Sequence, residues 1–262
     1  MRLALALALW GAAAAGAAGA APPPGAAAEP WAPDVRAAEQ FARLRAGEIA
    51  FSVRTPARSW HRHADRPFRA ASVLKALLLV AYLDRRGVRS RPLDARRRAL
   101  LARMIRRSDS QAASLLMEIV GTGGLRRLAR SAGMTRFIPD APVWGHSRIT
   151  ARDSSRLFLR IDRLLPERHR DYAMGLLETI VGSQRWGIAE AHPPGWRLFF
   201  KGGWGSGSGL VDHQAALLTN GEQRVSLAIL TRDNPSHAYG KQTLLGIARR
   251  LLRDLPRGAE LP

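Results

Sequence analysis

A serine and a lysine three residues apart, Ser72 and Lys75, have the spacing in this sequence that is best suited to chemistry. On a helix, side chains at positions i and i+3 lie on one face, so the lysine amine can reach the serine hydroxyl. At a helix start, the backbone N–H of the serine has no partner within the helix and can point into a cleft. An amine that has lost its proton can accept the serine proton and produce a nucleophile. The pair therefore predicts Ser72 as a nucleophile and Lys75 as its base.

The way the chain uses its basic residues supports a special role for Lys75. Among 41 lysine and arginine residues only three are lysines, at positions 75, 201 and 241. Arginine thus supplies the ordinary surface charge, and arginine cannot act as a general base, whereas a buried lysine can. The alternative is a lysine in a core helix whose stem lies on apolar residues while its amine reaches solvent.

The first 33 residues predict an export signal followed by a tether. Residues 1–20 combine one charged residue, Arg2, with an apolar stretch and the small-residue sequence Ala18-Gly19-Ala20, which suits cleavage. Residues 21–33 are rich in proline, glycine and alanine, as flexible linkers are. A retained membrane anchor is the alternative, although alanine, glycine and the prolines dilute and interrupt the apolar stretch. We therefore expect a secreted protein of the cell-wall or periplasmic space.

The composition excludes some chemistries and favours some partners. The chain has no cysteine, which excludes disulfides and a cysteine nucleophile. Its formal charge is +20 at pH 7, and ten arginines lie within residues 85–107, so its surface should attract polyanions. For an exported chain, anionic wall polymers or lipid headgroups are better candidates than a specific nucleic acid. A coding bias toward arginine, alanine, glycine and proline is the alternative explanation of the charge.

The pattern of apolar residues predicts an α+β domain over residues 34–256. Helices are predicted at 34–46, 72–85, 93–106, 111–120, 125–132, 150–165, 166–181 and 239–252. Strands are predicted at 49–54, 60–68, 197–201, 210–219 and 225–231, the last two joined by a hairpin at Asn220-Gly221. Because strands at both ends flank a helical middle, we expect an antiparallel sheet flanked by N- and C-terminal helices. An all-helical subdomain would be inserted at about 76–182.

The first helix and the second strand carry residues with specific expected positions. The first helix should be capped by Asp34 and bury Val35, Ala38, Phe41 and Leu44. His61 and His63 would share one face of the strand predicted at 60–68, where two histidines could bind a metal ion. No third ligand lies at a convincing spacing, so we predict neither a metal nor a cofactor.

Three stretches stand out together: Ser72-Val73-Leu74-Lys75, Ser108-Asp109-Ser110 and Lys201-Gly202-Gly203-Trp204. In this order they resemble the S-x-x-K, S-D-N and K-T-G motifs of the penicillin-recognising serine enzymes. The resemblance continues through residues 104–113, 144–153 and 184–201, and so along almost the whole mature chain. The most similar branch is the class A β-lactamase-like serine hydrolases, especially the exported forms of high-GC actinobacteria. It implies the β-lactamase/transpeptidase-like arrangement of sheet and helical insert.

The resemblance implies an acylation mechanism with named roles. Ser72 attacks a carbonyl carbon, and Lys75 accepts its proton. Ser108 relays a proton toward the leaving nitrogen. Lys201 supplies positive charge that holds Lys75 neutral and binds a substrate carboxylate.

The same resemblance implies the groups that bind the substrate. The backbone N–H groups of Ser72 and Trp204 match the positions that stabilise the oxyanion. Ser110, Gly202 and Gly203 line the substrate site, while Asp109 fixes its own loop.

The chain departs from the family pattern in the second and third motifs. Ser110 replaces an asparagine, which keeps a hydroxyl but loses the reach and second donor of an amide. Gly202 replaces a hydroxyl residue, so one contact to a substrate carboxylate is missing. Ser206 or Ser208, in the next turn, are the residues that can substitute for it.

The largest departure concerns deacylation. Class A β-lactamases carry a glutamate on a long loop, where it activates the deacylating water. The equivalent stretch here, residues 136–147, is short, and Asp140 is its only acidic residue. Asp140 is therefore the candidate for the deacylating base, and because its side chain is one methylene shorter we expect acylation to outpace deacylation.

These observations favour an exported serine hydrolase of β-lactamase type, with no cofactor and in monomeric form. Its substrate would be a small-molecule β-lactam or a cell-wall peptide. A D-alanyl-D-alanine peptidase-like penicillin-binding protein and an esterase are the enzymatic alternatives. A non-catalytic module that binds anionic wall polymers is the alternative from another class, but it has no reason to keep Ser72, Lys75, Ser108 and Lys201.

Overall fold

A five-stranded antiparallel sheet organises the chain in the computed structural model, which describes residues 31–206, 209–221 and 223–256. Its strands are β1 (Glu48–Arg54), β2 (Ser59–Arg62), β5 (Arg197–Gly205), β6 (Val211–Thr219) and β7 (Arg224–Arg232), in the order β2-β1-β7-β6-β5. The two-residue strands β3 (Phe68–Arg69) and β4 (Arg148–Ile149) pair separately. The N-terminal strand β1 thus lies beside the C-terminal strand β7.

Helices cover both faces of the sheet. They are α1 (Val35–Arg43), α2 (Leu74–Leu83), α3 (Ala95–Arg106), α4 (Ser110–Ser131), α5 (Ala151–Leu159), α6 (Ile161–Leu164), α7 (Glu167–Glu178), α8 (Ile188–Ala191) and α9 (His237–Leu251). Side chains of α1 and α9 form one core with alternate residues of the sheet, and α2, α4 and α5 form a second core with the others. Among the described residues, no helix has the length and apolar character needed to cross a membrane.

Burial on both faces explains the composition of the strands. The five central residues of β1 are all buried, including Ser52, whose hydroxyl bonds that of Ser155 at 2.9 Å. The strand therefore needs few polar side chains, because neither of its faces meets water. The α+β fold with an antiparallel sheet, terminal helices and a helical insert is confirmed.

Helix α2 is the most buried element of the molecule. All ten of its residues are buried, including Lys75. It is shorter than the predicted 72–85, because residues Ala71–Val73 form a 3₁₀ turn and Asp84 caps the helix. Ser72 therefore sits in the tight turn that leads into α2.

Several local predictions need correction. Helix α1 ends at Arg43, so Leu44 lies at its end with 83% of its side chain exposed. Strand β2 ends at Arg62, and His63 adopts a positive φ of 47° in the following turn, so His61 and His63 do not share a strand face. Nowhere in the described ranges do three His, Asp or Glu side chains gather as a metal site.

Most of the predicted N-terminal segments lie outside the residues that the structure describes. The predicted signal at 1–20 and most of the linker at 21–33 lie outside the described residues, as does Ser208. From Trp31 onward the chain forms one unit, and Trp31 packs edge-on against Trp60 with ring centroids 6.2 Å apart.

Candidate active site

Ser72 is held in the 3₁₀ turn that precedes α2. The N–H of Val73 donates to the carbonyl of Ala70 at 3.1 Å, and Ala71 adopts a positive φ of 44°. A positive φ in a residue with a Cβ carries strain, which the surrounding packing must offset. Ser72 itself is half-buried, so its hydroxyl is fixed in direction but still accessible.

The amine of Lys75 is directed at the serine. Its Nζ donates to Ser72 Oγ at 2.9 Å, to the carbonyl oxygen of Ser108 at 2.5 Å and to Ser108 Oγ at 3.2 Å. Burial lowers the pKa of Lys75 to about 8, because an ammonium ion loses hydration there, and the Asp109 carboxylate opposes this shift. The amine therefore deprotonates close to neutral pH while it is in hydrogen-bond contact with the nucleophile.

Ser108 lies in the break between α3 and α4. It adopts a positive φ of 57°, and Asp109 then caps α4 by accepting the N–H of Ala112 at 2.9 Å. Arg103, which the sequence did not single out, donates to Asp109 Oδ2 from Nε at 3.0 Å and from Nη2 at 2.6 Å. These bonds fix the loop that aims the Ser108 hydroxyl between the two lysines, the role predicted for Asp109.

Lys201 completes the group of polar side chains around Ser108. It is fully buried on β5, and its Nζ donates to Ser108 Oγ at 3.1 Å and to the carbonyl of Gly202 at 2.8 Å. Burial lowers the pKa of Lys201 well below its ordinary value, and the charge of Lys75 lowers it further. Burial is also the first cause of the low pKa of Lys75. Desolvation, and not a charge on Lys201, therefore accounts for the lowered pKa of Lys75.

The edge of β5 approaches the turn of Ser72 through a glycine. A Cβ atom at Gly203 would lie 2.8 Å from the main-chain nitrogen of Val73 and 2.9 Å from that of Ser72. Only glycine allows this approach, which brings Trp204 to the same cleft as Ser72. A Cβ atom at Gly202 would instead face the Trp186 ring at 3.4 Å, so a larger side chain at position 202 would press on that ring.

A cleft of about 310 Å³ opens over Ser72. Among its lining residues are Ser72, Ser110, Trp144, His146 and Trp204. Trp144 lies over the Lys75 amine at 4.9 Å from its ring centre, and its indole N–H donates to Ser114 Oγ at 3.1 Å. Trp144 and His146 belong to the stretch 144–153 that carries part of the family resemblance, but sequence analysis assigned neither residue a role in the site.

Of the residues predicted for the substrate site, Ser110 lines this cleft, whereas Gly202, Gly203 and the candidate base Asp140 are not among its lining residues. The Asp140 carboxylate accepts the N–H of Val143 at 3.0 Å, and the Asp140 N–H donates to Ser147 Oγ at 3.0 Å. Asp140 lines a neighbouring cavity instead. Ser206 does not line the cleft either. The structure thus brings Ser72, Lys75, Ser108 and Lys201 together but leaves the deacylating base unassigned.

A buried histidine on β6, missed by sequence analysis, supports the approach to Ser72. The N–H of Thr231 can only donate, and it lies 3.0 Å from His213 Nδ1, which assigns the ring proton to Nε2. His213 Nε2 then donates to the carbonyl of Arg69 at 2.9 Å. Burial lowers the pKa of His213 to about 4, so the ring is neutral and holds β3 just ahead of Ser72.

A serine in hydrogen-bond contact with a buried lysine, at the start of a core helix and against the edge of an antiparallel sheet, is the arrangement of a serine hydrolase. The chain belongs to the beta-lactamase enzyme family, whose sequence model matches residues 89–255, more than half of the chain. The match includes Ser108 and Lys201 and begins after Ser72 and Lys75. The resemblance to β-lactamase-like serine hydrolases is confirmed.

Solved structures show the same fold. The β-lactamase from Sphaerobacter thermophilus is 22% identical, with a TM-score of 0.68 over 84% of this chain and 96% of that one. A β-lactamase from Xanthomonas campestris is 17% identical, with a TM-score of 0.71 over 85% and 97%. A reconstructed class A β-lactamase of the last common ancestor of Gram-negative bacteria is 18% identical, with a TM-score of 0.70 over 85% and 99%. No curated protein sequence matches the chain closely enough to count as a relative.

Proposed function

We propose that this β-lactamase-like serine hydrolase opens the amide bond of a small-molecule β-lactam through an acyl-enzyme on Ser72. The observation that carries the proposal is the 2.9 Å contact from Lys75 Nζ to Ser72 Oγ, made by an amine whose pKa is lowered to about 8. At pH 7 about a tenth of such an amine is neutral, which is enough for a general base.

Acylation then proceeds through the contacts around Ser108. Lys75 Nζ takes the proton from Ser72 Oγ, and the oxygen forms a bond to the β-lactam carbonyl carbon. The carbon–nitrogen bond of the ring breaks, and the nitrogen receives a proton from Ser108 Oγ. Ser108 regains a proton from Lys75, because Lys75 Nζ lies 3.2 Å from Ser108 Oγ. The backbone N–H groups of Ser72 and Trp204 are assigned to the developing oxyanion, where loss of one donor typically costs on the order of 10²–10³ in rate.

Deacylation should be the slow step. The carboxylate of Asp140 is engaged with Val143 and lines another cavity than the cleft of Ser72. None of the described residues that line the cleft is an aspartate or glutamate, so water is expected to react with the assistance of Lys75 or unassisted. This observation favours, as second candidate, a D-alanyl-D-alanine peptidase-like penicillin-binding protein, which is acylated by β-lactams and holds them; a weak esterase would share the acylation step.

We also propose that the enzyme is exported and has anionic partners outside the cytoplasm. The pattern of residues 1–20 supports a cleaved signal and a secreted enzyme of the cell-wall or periplasmic space, which we propose to be monomeric. The arginines of residues 85–107 support an attraction to anionic wall polymers or lipid, in addition to the small-molecule substrate. Sequencing the N-terminus of the exported protein tests the first point, with a start near Ala21 expected.

The test of the function is intact-protein mass spectrometry after exposure to a fluorescent penicillin, followed over time. We expect one adduct that forms quickly and disappears slowly. Ser72→Ala should remove it, whereas Ser131→Ala, at an exposed serine of α4, should not. An adduct on another residue would overturn the assignment of Ser72, and no adduct at all would favour the non-catalytic wall-binding module.

A further inference from the structure

A second cavity, of about 380 Å³, adjoins the cleft of Ser72. Arg69, Arg148, Arg232, Asp140 and His146 are among its lining residues. Arg69 and His146 line the cleft as well, so the two spaces meet at these side chains. Arg69 Nη1 and His146 Nε2 lie 3.1 Å apart at this boundary. A substrate bound at Ser72 can therefore extend into the second cavity.

Positive charge exceeds negative charge in this cavity. Three guanidinium groups line it against one carboxylate, that of Asp140, which already accepts the N–H of Val143 at 3.0 Å. Arg232 is paired with Glu48 and lies over the Phe68 ring at 5.5 Å from its centre. Such a concentration of cations attracts an anion, and guanidinium groups bind carboxylates and phosphates in a fixed geometry.

Arg148 is the arginine best placed to bind a ligand. It is exposed on β4, and its guanidinium takes part in none of the ion pairs or side-chain hydrogen bonds found among residues 31–206, 209–221 and 223–256. Its main chain is fixed, because its N–H and carbonyl both bond Ile138 and the strand pairs with Arg69. The side chain thus projects a charge from a rigid position without a protein partner.

The position of the cavity indicates which part of a substrate reaches it. In the proposed mechanism the leaving nitrogen faces Ser108, which contacts Lys75 and Lys201, whereas the second cavity meets the cleft at Arg69 and His146. A group held there consequently belongs to the acyl part of the substrate, which stays on Ser72 after the amide bond has opened.

We propose that the second cavity binds an anionic group, a carboxylate, on the acyl part of the substrate, and that Arg148 is its main contact. The proposal rests on the proposed acylation of Ser72. It makes Arg148 a specificity-determining residue that selects acidic acyl groups and takes no part in the bond-breaking step.

Two penicillins test this selection directly. Benzylpenicillin and carbenicillin differ by one carboxylate on the acyl side chain, so the ratio of their acylation rates isolates the contribution of that charge. We expect the native enzyme to favour carbenicillin and Arg148→Gln to reduce the ratio about fivefold or more, with Arg148→Lys in between. Arg168→Gln is the matched control, because it removes the same charge from an exposed arginine of α7 and should leave the ratio unchanged. Equal ratios in all four proteins would overturn the proposal.

A binding measurement separates this proposal from the proposed function. Inorganic phosphate, titrated against the native protein and the same variants and followed by the shift in melting temperature, reports on the cavity without any acylation. Phosphate binding that is lost in Arg148→Gln and kept in Arg168→Gln supports an anion site even if neither penicillin labels Ser72, an outcome that refutes only the proposed function. Binding that depends on Arg148 together with an unchanged penicillin ratio would assign the cavity to a free anion and overturn its role in substrate selection. Binding equal in both variants would overturn the anion site.

Discussion

At the scale of single residues, the site depends on a lysine that burial makes less basic. Lys75 and Lys201 both lie at hydrogen-bond distance from Ser108 Oγ, and both have their pKa lowered chiefly by loss of hydration. Two ammonium ions in this space repel one another, so the protein favours a state with at most one of them charged. Lys75 serves Ser72 as a base only in its neutral form, whose share grows as the pH rises toward the pKa of about 8.

Replacement of Lys75 by arginine tests whether the amine acts as a base. Arginine keeps the positive charge but does not deprotonate at neutral pH, so Lys75→Arg should lower the acylation rate nearly as far as Lys75→Ala, on the order of 10²–10⁴-fold. Lys241→Arg is the control, since Lys241 lies against Trp186, 5.4 Å from the ring centre. The measurement is the burst with a chromogenic cephalosporin, and an arginine variant with most of the native rate would contradict the base role.

The pH dependence of acylation should follow the same amine. Only the neutral form of Lys75 accepts a proton, and its pKa is lowered to about 8, so the rate should rise with pH and level off above about 8. At pH 6 it should be roughly a hundredfold below the plateau, because about 1% of the amine is then neutral. Stopped-flow bursts from pH 6 to 9.5 measure this, and a flat profile would argue for a base other than Lys75.

At the scale of elements, the site depends on how closely strand β5 approaches the turn before α2. Gly203→Ala should weaken this approach, because the added Cβ would lie within 3 Å of two main-chain nitrogens. We expect a loss of stability of about 1–3 kcal/mol and a larger relative loss of acylation, since the oxyanion donors separate. Gly205→Ala, where the nearest contact of a Cβ is 3.9 Å, is the matched control. Equal acylation by both variants would show that the spacing of β5 has no catalytic role.

The elements of the fold and the four polar residues of the site were predictable from the sequence, whereas the contacts of some other residues were not. Ser72, Lys75, Ser108 and Lys201 stand in short motifs, and the neighbouring helices are marked by the apolar run of α2 and by the capping residue Asp109 of α4. The contacts of Trp144, His146 and His213 in the site were not predictable. The first two form a short 3₁₀ helix whose position the sequence does not show, and the role of His213 depends on contacts with residues 69 and 231.

Failures among the local predictions have a common physical origin. Leu44 was assigned inward because it continues the helical spacing, but the chain leaves the helix at that residue. Asp140 was chosen because it is the only acid in its loop, yet its carboxylate caps the turn at Val143. Periodicity and composition show which residues are available, whereas the bonds of the backbone decide where each side chain points.

At the scale of the whole molecule, the two cores are joined through a sheet in which several polar residues are buried. The neutral ring of His213 bridges β6, β7 and the strand before Ser72, with its pKa lowered to about 4. A group whose pKa is lower in the folded than in the unfolded chain releases its proton on folding. Stability from this residue is therefore full above about pH 6.5 and is lost as the pH falls toward 4.

Chemical denaturation at several pH values tests this contribution. The free energy of unfolding should fall between pH 6.5 and 4 by on the order of 2–3 kcal/mol more in the native protein than in His213→Gln. His192→Gln is the control, because His192 is only half-buried and contacts a carbonyl of its own turn at 3.0 Å. The same slope in the native protein and in His213→Gln would exclude this histidine as the source of acid sensitivity.

The order of strands in the sheet determines how late during synthesis Ser72, Lys75, Ser108 and Lys201 can come together. Strand β1 pairs with β7, so Glu48 finds its partner only at Arg232, near the end of the chain. Lys201 lies on β5, which is also in the last third of the sequence. Contacts so distant along the chain form slowly, and during synthesis they cannot form at all until the last third has been made. A growing chain therefore carries Ser72 without its second lysine and without the strand edge that orients it. Reactivity appears only when nearly the whole polypeptide is present, which protects an unfinished chain from being acylated.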